Sequence, residues 1–549
     1  MAHTRREFLR RSAVAALVGT GGIAGATSSA IATPGDLTVG GIYRLTATHS
    51  GLSLDVEGGS ADDGADVQQW GWSGGDHQRW RLEWADEGSY RLINVKSEKA
   101  LDVEAKSTDD GANVIQWSLN GGENQQWSID RQDDGSYRLT SVNSGKVLSV
   151  ADGATDHGAT VHQWTDTGGD EQRWDFERRS TAGAHFDVDD GFATPDWFDD
   201  DVTVHRVTEP TRAALESAVQ ASGPRLVVFE TSGTIDLGAE RLAVTNDKCW
   251  IAGQTAPSPG IALIRGEFAI DANDCVVQHI RSRPGDAGQD TGWEPDAITT
   301  ADGTSNNVFD HVSASWSVDE VASPGYDTTD TTLSNCLIAE ALRDSTHHKG
   351  LHSCGSLVGD NATGVALLGN VWALAESRQP RLKAGTRSVV VNNLMYHFGE
   401  ATNLDDSAEA TIESNVYRRV DQDDAVVEGG NAYLSDNDVG GGAPLTNGTT
   451  ELDARPLWPG GLQALPSDET VDHAHTYAGA RSADRSETDR RILDAVANGS
   501  GDYIDSQSDV GGYPDLAEQT HSLDVPETGR REWLEQWALS VEVPAIQSP

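Results

Sequence analysis

Along residues 38–178, apolar and polar side chains alternate with a period of two over short runs such as SYRLINV (89–95) and SYRLTSV (136–142), each closed by Gly and Asp. Alternation of this kind puts successive side chains on opposite faces of a strand, and the Gly and Asp clusters supply the turns. The runs belong to a repeat. DGADVQQW, DGANVIQW and HGATVHQW place Gly64, Gly111 and Gly158 at intervals of 47 residues, and Trp70, Trp117 and Trp164 keep the same spacing. A second element, QRW, QQW and QRW, ends at Trp80, Trp127 and Trp174. One such unit is too small to bury its own apolar face, so the three copies predict an all-β body closed about a threefold axis.

Beyond residue 200 the pattern changes to short apolar runs with one polar residue in register: VVQHI, VFDHV, LSNCL, LLGNV, VVNNL and IESNV. Aligning them puts His279, His311, Asn335, Asn370, Asn393 and Asn415 in one column, at intervals of 32, 24, 35, 23 and 22 residues. The shortest spacing is that of a minimal coil, and longer ones carry inserted loops. Parallel strands stacked coil on coil bring equivalent side chains within hydrogen-bonding distance, so a column of Asn predicts a solenoid with an internal ladder. A short amphipathic run, TRAALESAVQAS, precedes the coils and is expected to cap one end. The Asp- and Gly-rich segment 179–200 has little periodicity and reads as a linker. The expected fold is all-β: a trefoil at 38–178 followed by a parallel β-helix over 201–549.

The Gln-x-Trp repeat resembles the ricin-type β-trefoil lectins, which implies one shallow sugar pocket per repeat. The first would use Asp55, Trp70, Trp72 and His77, and the second Asp102 and Asn124; in the third, Ser149 and Glu171 stand where the Asp and Asn would be. Trp80, Trp127 and Trp174 are expected in the core. In the second region VVFETSGTIDL, WIAGQTAPSPGI, IRSRPGD, NVFDHVSASWSVDE, HHKGLHSCGSL, LLGNVWALAESRQPRLKAG and VVVNNLMYHFGE, in that order, resemble the pectate lyases, right-handed parallel β-helices.

Composition narrows the setting. Against 40 Lys and Arg stand 87 Asp and Glu, dispersed along the chain, for a formal charge of −47. Such a surface argues against nucleic acid as a partner and resembles that of folded, salt-adapted proteins of haloarchaeal type. Residues 1–32 carry Arg5 and Arg6, Phe8 and Leu9, a weakly apolar stretch and the small-residue site Ala30-Ile31-Ala32, and resemble a twin-arginine export signal. With that segment removed no membrane span is expected, and the protein reads as a secreted monomer. Cys249, Cys275, Cys336 and Cys354 are too irregularly spaced for a disulfide scaffold or zinc cluster, and Cys275 and Cys336 read as buried thiols.

The intervals of 32 and 35 residues hold GWEPDAITT and HHKGLHS, SWSVDE falls in the 24-residue interval between them, and SRQPRLK ends the short coil that follows. Glu294, Asp296, Asp319 and Glu320 offer hard oxygen donors from neighbouring coils, the kind of ligand Ca2+ takes. The resemblance implies calcium-assisted β-elimination on polygalacturonate of plant cell walls, with the Arg of an Arg-x-Pro motif as base, here Arg378. It also implies substrate contacts from Lys349 and Lys383, and Arg381 is a further candidate. An arginine base needs its pKa depressed, and Lys349, Lys383 and the metal are the expected causes. His311, His347, His348 and His352 read as hydrogen-bonding groups of ladder or loop. Other readings are a calcium-independent lyase for esterified pectin or another uronate, a glycoside hydrolase, and a non-catalytic glycan-binding surface protein on the same scaffold.

Overall fold

The computed structural model describes residues 37–549 except 87, 182, 421–424, 544, 545, 547 and 549. The predicted export signal, 1–32, lies outside the described residues.

Twelve antiparallel strands between Gly41 and Thr181 form the first body, closed where Gly41–Ala47 pairs with Trp174–Thr181. Its threefold order is visible atom by atom. Trp80, Trp127 and Trp174 are fully buried, and their indole Nε1 groups donate to the carbonyls of Leu54, Leu101 and Leu148 at 3.1, 3.2 and 3.2 Å. The repeated glycines are joints between repeats. The N–H groups of Gly64, Gly111 and Gly158 donate to the carbonyls of Gln116, Gln163 and Gln69, each at 2.9 Å. All three have left-handed φ (84, 81 and 83°), and a Cβ there would meet the ring of Trp117, Trp164 or Trp70 at 3.5 Å.

The second body is a parallel β-helix. One face is an eleven-stranded sheet from Thr203–Val207 to Thr450–Glu451, a second is nine-stranded, and the third is split into a four-stranded and a five-stranded part. Helix α1 (Arg212–Val219), N-capped by Thr211, sends Leu215, Ala218 and Val219 into the solenoid core at its first coils. The split in the third face falls between Ala322–Ser323 and Leu357–Val358, where the loop carrying HHKGLHS is inserted.

The polar column holds a ladder, displaced by one residue in its first half. Nδ2 of Asn370, Asn393 and Asn415 donates to Oδ1 of Asn393, Asn415 and Asn437 at 3.0, 2.9 and 3.1 Å. The coil before Asn370 offers Cys336 at this position, its N–H donating to Asn370 Oδ1 at 2.8 Å, and not Asn335. His279, His311 and Asn335 instead occupy left-handed corners, φ 54, 50 and 50°, one residue earlier. Pattern matching cannot tell the corner residue from its inward neighbour, because both are polar and both precede an apolar strand. The four cysteines are free and buried.

The coils end at Glu451, short of the expected span. Three helices follow: α2 (Ser467–Tyr477), α3 (Glu487–Asn498) and α4 (Arg530–Glu542). Ala474 and Ala478 at α2, and Ile492 and Leu493 of α3, cover the nine-stranded face. Fully buried Arg281 and Arg283 pair with Asp489 of α3 at 2.9 and 2.6 Å. Helix α4 buries Trp533 and Leu534 in a cluster shared with the trefoil residue Trp84 and with Trp250 of the solenoid. Segment 183–200 is packed as well: Phe186, Val188 and Ala193 are buried, and Asn335 Nδ2 donates to Phe186 O at 2.8 Å.

Candidate functional site

At the break in the third face, isolated parallel bridges align Glu320 with Cys354 and Cys354 with Ser377. Asp296 joins from the preceding coil, where Ala297 N–H donates to Glu320 O at 3.3 Å. Side chains on four consecutive coils are thereby stacked, the benefit a solenoid confers on residues far apart in sequence. Close contact between coils is required here: an added Cβ on Gly355 would stand 2.6 Å from the carbonyl of Arg378, which accepts Ser356 N–H at 2.6 Å. Arg378 itself holds a left-handed φ of 62°, a conformation disfavoured for a side chain of this size, beside an open cleft also lined by Glu376 and Glu400.

Asp296, Asp319 and Glu320 present carboxylate oxygens within 4.8 Å of one another, and Glu320 N–H donates to Asp296 Oδ1 at 3.0 Å. The Arg378 guanidinium pairs with Glu320. Burial pushes the Asp296 carboxyl well above its ordinary range, and neighbouring carboxylates, Asp319 among them, add to the shift. An all-oxygen set with excess negative charge fits a hard divalent cation such as calcium. Burial is also the largest influence lowering the pKa of Arg378; Asp319 opposes it and Arg381 reinforces it. Arg381 thus ranks ahead of Lys349 and Lys383, the two basic residues expected to have this effect.

Glu294, the fourth expected carboxylate, faces the inserted loop. It accepts the backbone N–H and the Nδ1 of His348 at 2.8 and 2.7 Å. His347 Nε2 stands between the two groups, 3.7 Å from Glu294 and 3.8 Å from Asp319, and His352 Nε2 bonds Asp319 Oδ1 at 2.8 Å. These histidines are the loop hydrogen-bonding groups expected of HHKGLH; their convergence on Glu294 and Asp319 was not legible, because it depends on how the loop folds back. Arg381 pairs with Asp405 at 2.8 Å. Lys383 pairs with Asp360 at 3.2 Å and lies over the Tyr326 ring. Lys349 is exposed on the loop. Of the three, Arg381 is the one whose charge acts on Arg378, whereas Lys383 is engaged by Asp360 and Lys349 stands at the surface.

In the trefoil, Asp55 is buried and accepts from Gln68 Nε2 and Gln78 Nε2 at 2.9 and 2.8 Å, with His77 Nε2 at 3.4 Å. Trp70 is 42% exposed, whereas the guanidinium groups of Arg44 and Arg179 lie over the Trp72 ring. Of the two tryptophans Trp70 is the more exposed, with the His157 ring tilted against it at 5.0 Å. The second repeat repeats the arrangement, with Asp102 accepting from Gln125 Nε2 at 2.9 Å, Asn124 buried and Trp117 41% exposed. In the third, Trp164 is 39% exposed but stacks on His162, and Ser149 offers no carboxylate.

A threefold barrel joined to a parallel β-helix with carboxylates and an arginine at its loop face is the architecture of a polysaccharide-processing enzyme with a carbohydrate-binding module. Residues 35–117 and 123–188 match the family described as ricin-type beta-trefoil lectin domain-like. The probable pectate lyase C of Aspergillus flavus is 30% identical over 353 residues, 59% of this chain and 80% of that protein. That of Aspergillus oryzae is 29% identical with the same coverage. Among solved structures, the designed 3-fold symmetric protein ThreeFoil is 51% identical over 25% of this chain and 96% of its own, with a TM-score of 0.24. The chain belongs to the pectate lyase family, as a polysaccharide lyase that carries a ricin-type module. Among the described residues no helix is long and apolar enough to cross a membrane.

Proposed function

We propose that the protein is a secreted, calcium-dependent pectate lyase that cleaves polygalacturonate by β-elimination with Arg378 as base. The observation that carries this reading is the meeting of Arg378 with Asp296, Asp319 and Glu320 across consecutive coils. Bound calcium would supply Lewis-acid stabilisation of charge developing on the uronate carboxylate as the C5 proton leaves. Asp296, Asp319 and Glu320 would hold it. Arg378 takes the C5 proton when its guanidine is neutral, a state that burial favours and the pairing with Glu320 opposes. Release of Glu320 from Arg378 is thus part of becoming competent. Lys349, Lys383 and Arg381 supply positive charge for further uronate carboxylates along the groove. Asp55, Trp70 and His77, with Asp102 and Asn124 in the second repeat, bind cell-wall glycan and raise the local concentration of substrate. Trp72, whose ring is covered by Arg44 and Arg179, takes a lesser part. Twin-arginine export of 1–32 puts the enzyme where such a polymer is found.

The test is the absorbance of unsaturated product during incubation with polygalacturonate, with calcium or EDTA, for the wild type and Arg378→Ala. Product that needs both calcium and Arg378 is the expected result. Activity indifferent to EDTA, with esterified pectin preferred, would favour a calcium-independent pectin lyase. A folded protein inert toward every uronate polymer would leave only the glycan-binding reading.

A further inference from the structure

Beside the oxygen-only group, a chemically different donor set faces the same space. Cys354 Sγ lies 3.5 Å from His352 Nε2, and His352 Nε2 lies 2.8 Å from Asp319 Oδ1. Glu320 completes a group with His352 and Cys354 whose donor atoms all fall within 4.8 Å of one another. The fold dictates this meeting. Glu320 and Cys354 are aligned across a parallel bridge, and His352, two residues before Cys354, lies on the same side of an extended chain. Cys354 also differs in setting from the other cysteines. Cys249 and Cys275 lie in strands of the apolar core and Cys336 in the ladder, whereas Cys354 lines the cleft beside Arg378.

The spacing of thiol and imidazole suits one ion. Zinc binds thiolate at about 2.3 Å and imidazole or carboxylate at about 2.0–2.2 Å, so donors around a tetrahedral ion stand roughly 3.3–3.7 Å apart. The Cys354–His352 separation falls in that range. The His352–Asp319 separation is shorter because a hydrogen is held between them, and a cation replacing it would widen the gap.

A second observation points the same way. The His347 side chain is 1% exposed, and its Nε2 has no hydrogen-bond partner although it is aimed between Asp319 and Glu294. Its Nδ1 accepts Lys349 N–H at 3.1 Å, so Nε2 carries the hydrogen, and its ring stacks on that of His352 at 3.9 Å. His347 is therefore a buried donor turned toward an anionic shell, of the kind that orients metal ligands without being one.

We propose that His352, Cys354, Asp319 and Glu320 form a site for a thiophilic divalent cation of the zinc class. Thiolate and imidazole select such an ion, whereas calcium takes oxygen donors alone. Because Asp319 and Glu320 are common to both donor sets, the two ions exclude one another, and a zinc-class ion also draws Glu320 away from Arg378. This exclusion rests on the proposed calcium role; the site itself does not.

Cobalt(II), a coloured substitute for zinc, tests the site when titrated into the full chain in calcium-free buffer. A thiolate-to-cobalt charge-transfer band should grow to saturation at one equivalent, disappear on addition of zinc, and be absent from Cys354→Ser of unchanged circular dichroism. No such band in the wild type, or its survival in Cys354→Ser, overturns the proposal. As an independent variant, His352→Gln should need about tenfold or more cobalt for half-saturation; unchanged affinity also overturns it. None of these readouts uses lyase activity, so loss of the zinc-class site and loss of the calcium-lyase reading are separately visible.

Discussion

Arg378 combines a disfavoured backbone conformation, partial burial and a carboxylate partner, three costs that packing alone does not require at the edge of a cleft. Replacing it with Ala should lower product formation by about 10²–10⁴-fold, the usual worth of a positioned base, with thermal unfolding little changed. Arg378→Lys should recover little, since a compact, strongly hydrated ammonium does not reproduce the position and planar fork of the guanidine that takes the proton. A second residue-scale prediction concerns acid. His473 is buried, and its Nε2 accepts His185 N–H at 2.9 Å, so protonation would remove an acceptor. Burial, helped by His185 and His311, pushes its pKa down from 6.5 to about 3. Above pH 6.5 the imidazole is neutral whether folded or unfolded. As pH falls below 6.5 the unfolded chain takes up a proton that the native state refuses, and stability drops by up to about 1.4 kcal/mol per pH unit. Denaturant unfolding at stepped pH should show this slope, and His473→Gln, which keeps an acceptor, should flatten it.

Among the elements, the Asn ladder ties the coils together. Asn393 Oδ1 accepts from the N–H and Nδ2 of Asn370 at 2.8 and 3.0 Å, and its Nδ2 donates to Leu367 O and Asn415 Oδ1, each at 2.9 Å. Asn393→Ala leaves several buried groups without partners and should cost on the order of 3 kcal/mol in urea unfolding. The same change at Asn437, which is half-buried at the end of the ladder, should cost less. The ladder was legible as a recurrence of Asn before an apolar strand; its register was not, because the corner residues His279, His311 and Asn335 are polar too. Coil spacing did mark the loops of the candidate site, since additional length has to leave the stack somewhere. Which loop side chains meet was hidden: Glu294 and Asp296 are two residues apart, yet one turns to His348 and the other to Glu320.

For the whole molecule, helix α4 joins the two bodies. Trp533 is fully buried between them, and Gln536 accepts Trp84 N–H from the trefoil at 3.1 Å. Trp533→Ala should cost about 3–5 kcal/mol and loosen the junction, seen as an earlier unfolding step and a larger radius of gyration in solution scattering. With a formal charge of −47, self-repulsion opposes the compact state unless salt screens it. The melting temperature should therefore rise steadily as salt increases toward molar concentration; a flat response would remove the salt-adapted reading.

Periodicity determined the two β architectures, because equal spacing of Gly and Trp admits a closed threefold body and recurrent coils admit a stack. The same spacing located Trp80, Trp127 and Trp174 in the core, where each Nε1 finds a carbonyl at the same sequence separation. Local motifs located Arg378 and the carboxylates. Tertiary structure alone decided how they combine: Asp296, Glu320, Cys354 and Arg378 meet because their coils stack, and α4 closes over a trefoil whose sequence begins some 490 residues earlier. Strand and turn patterns are short-range and can be read along the chain. Contacts between coils, loops and helices depend on which surfaces remain to be covered once those elements have formed.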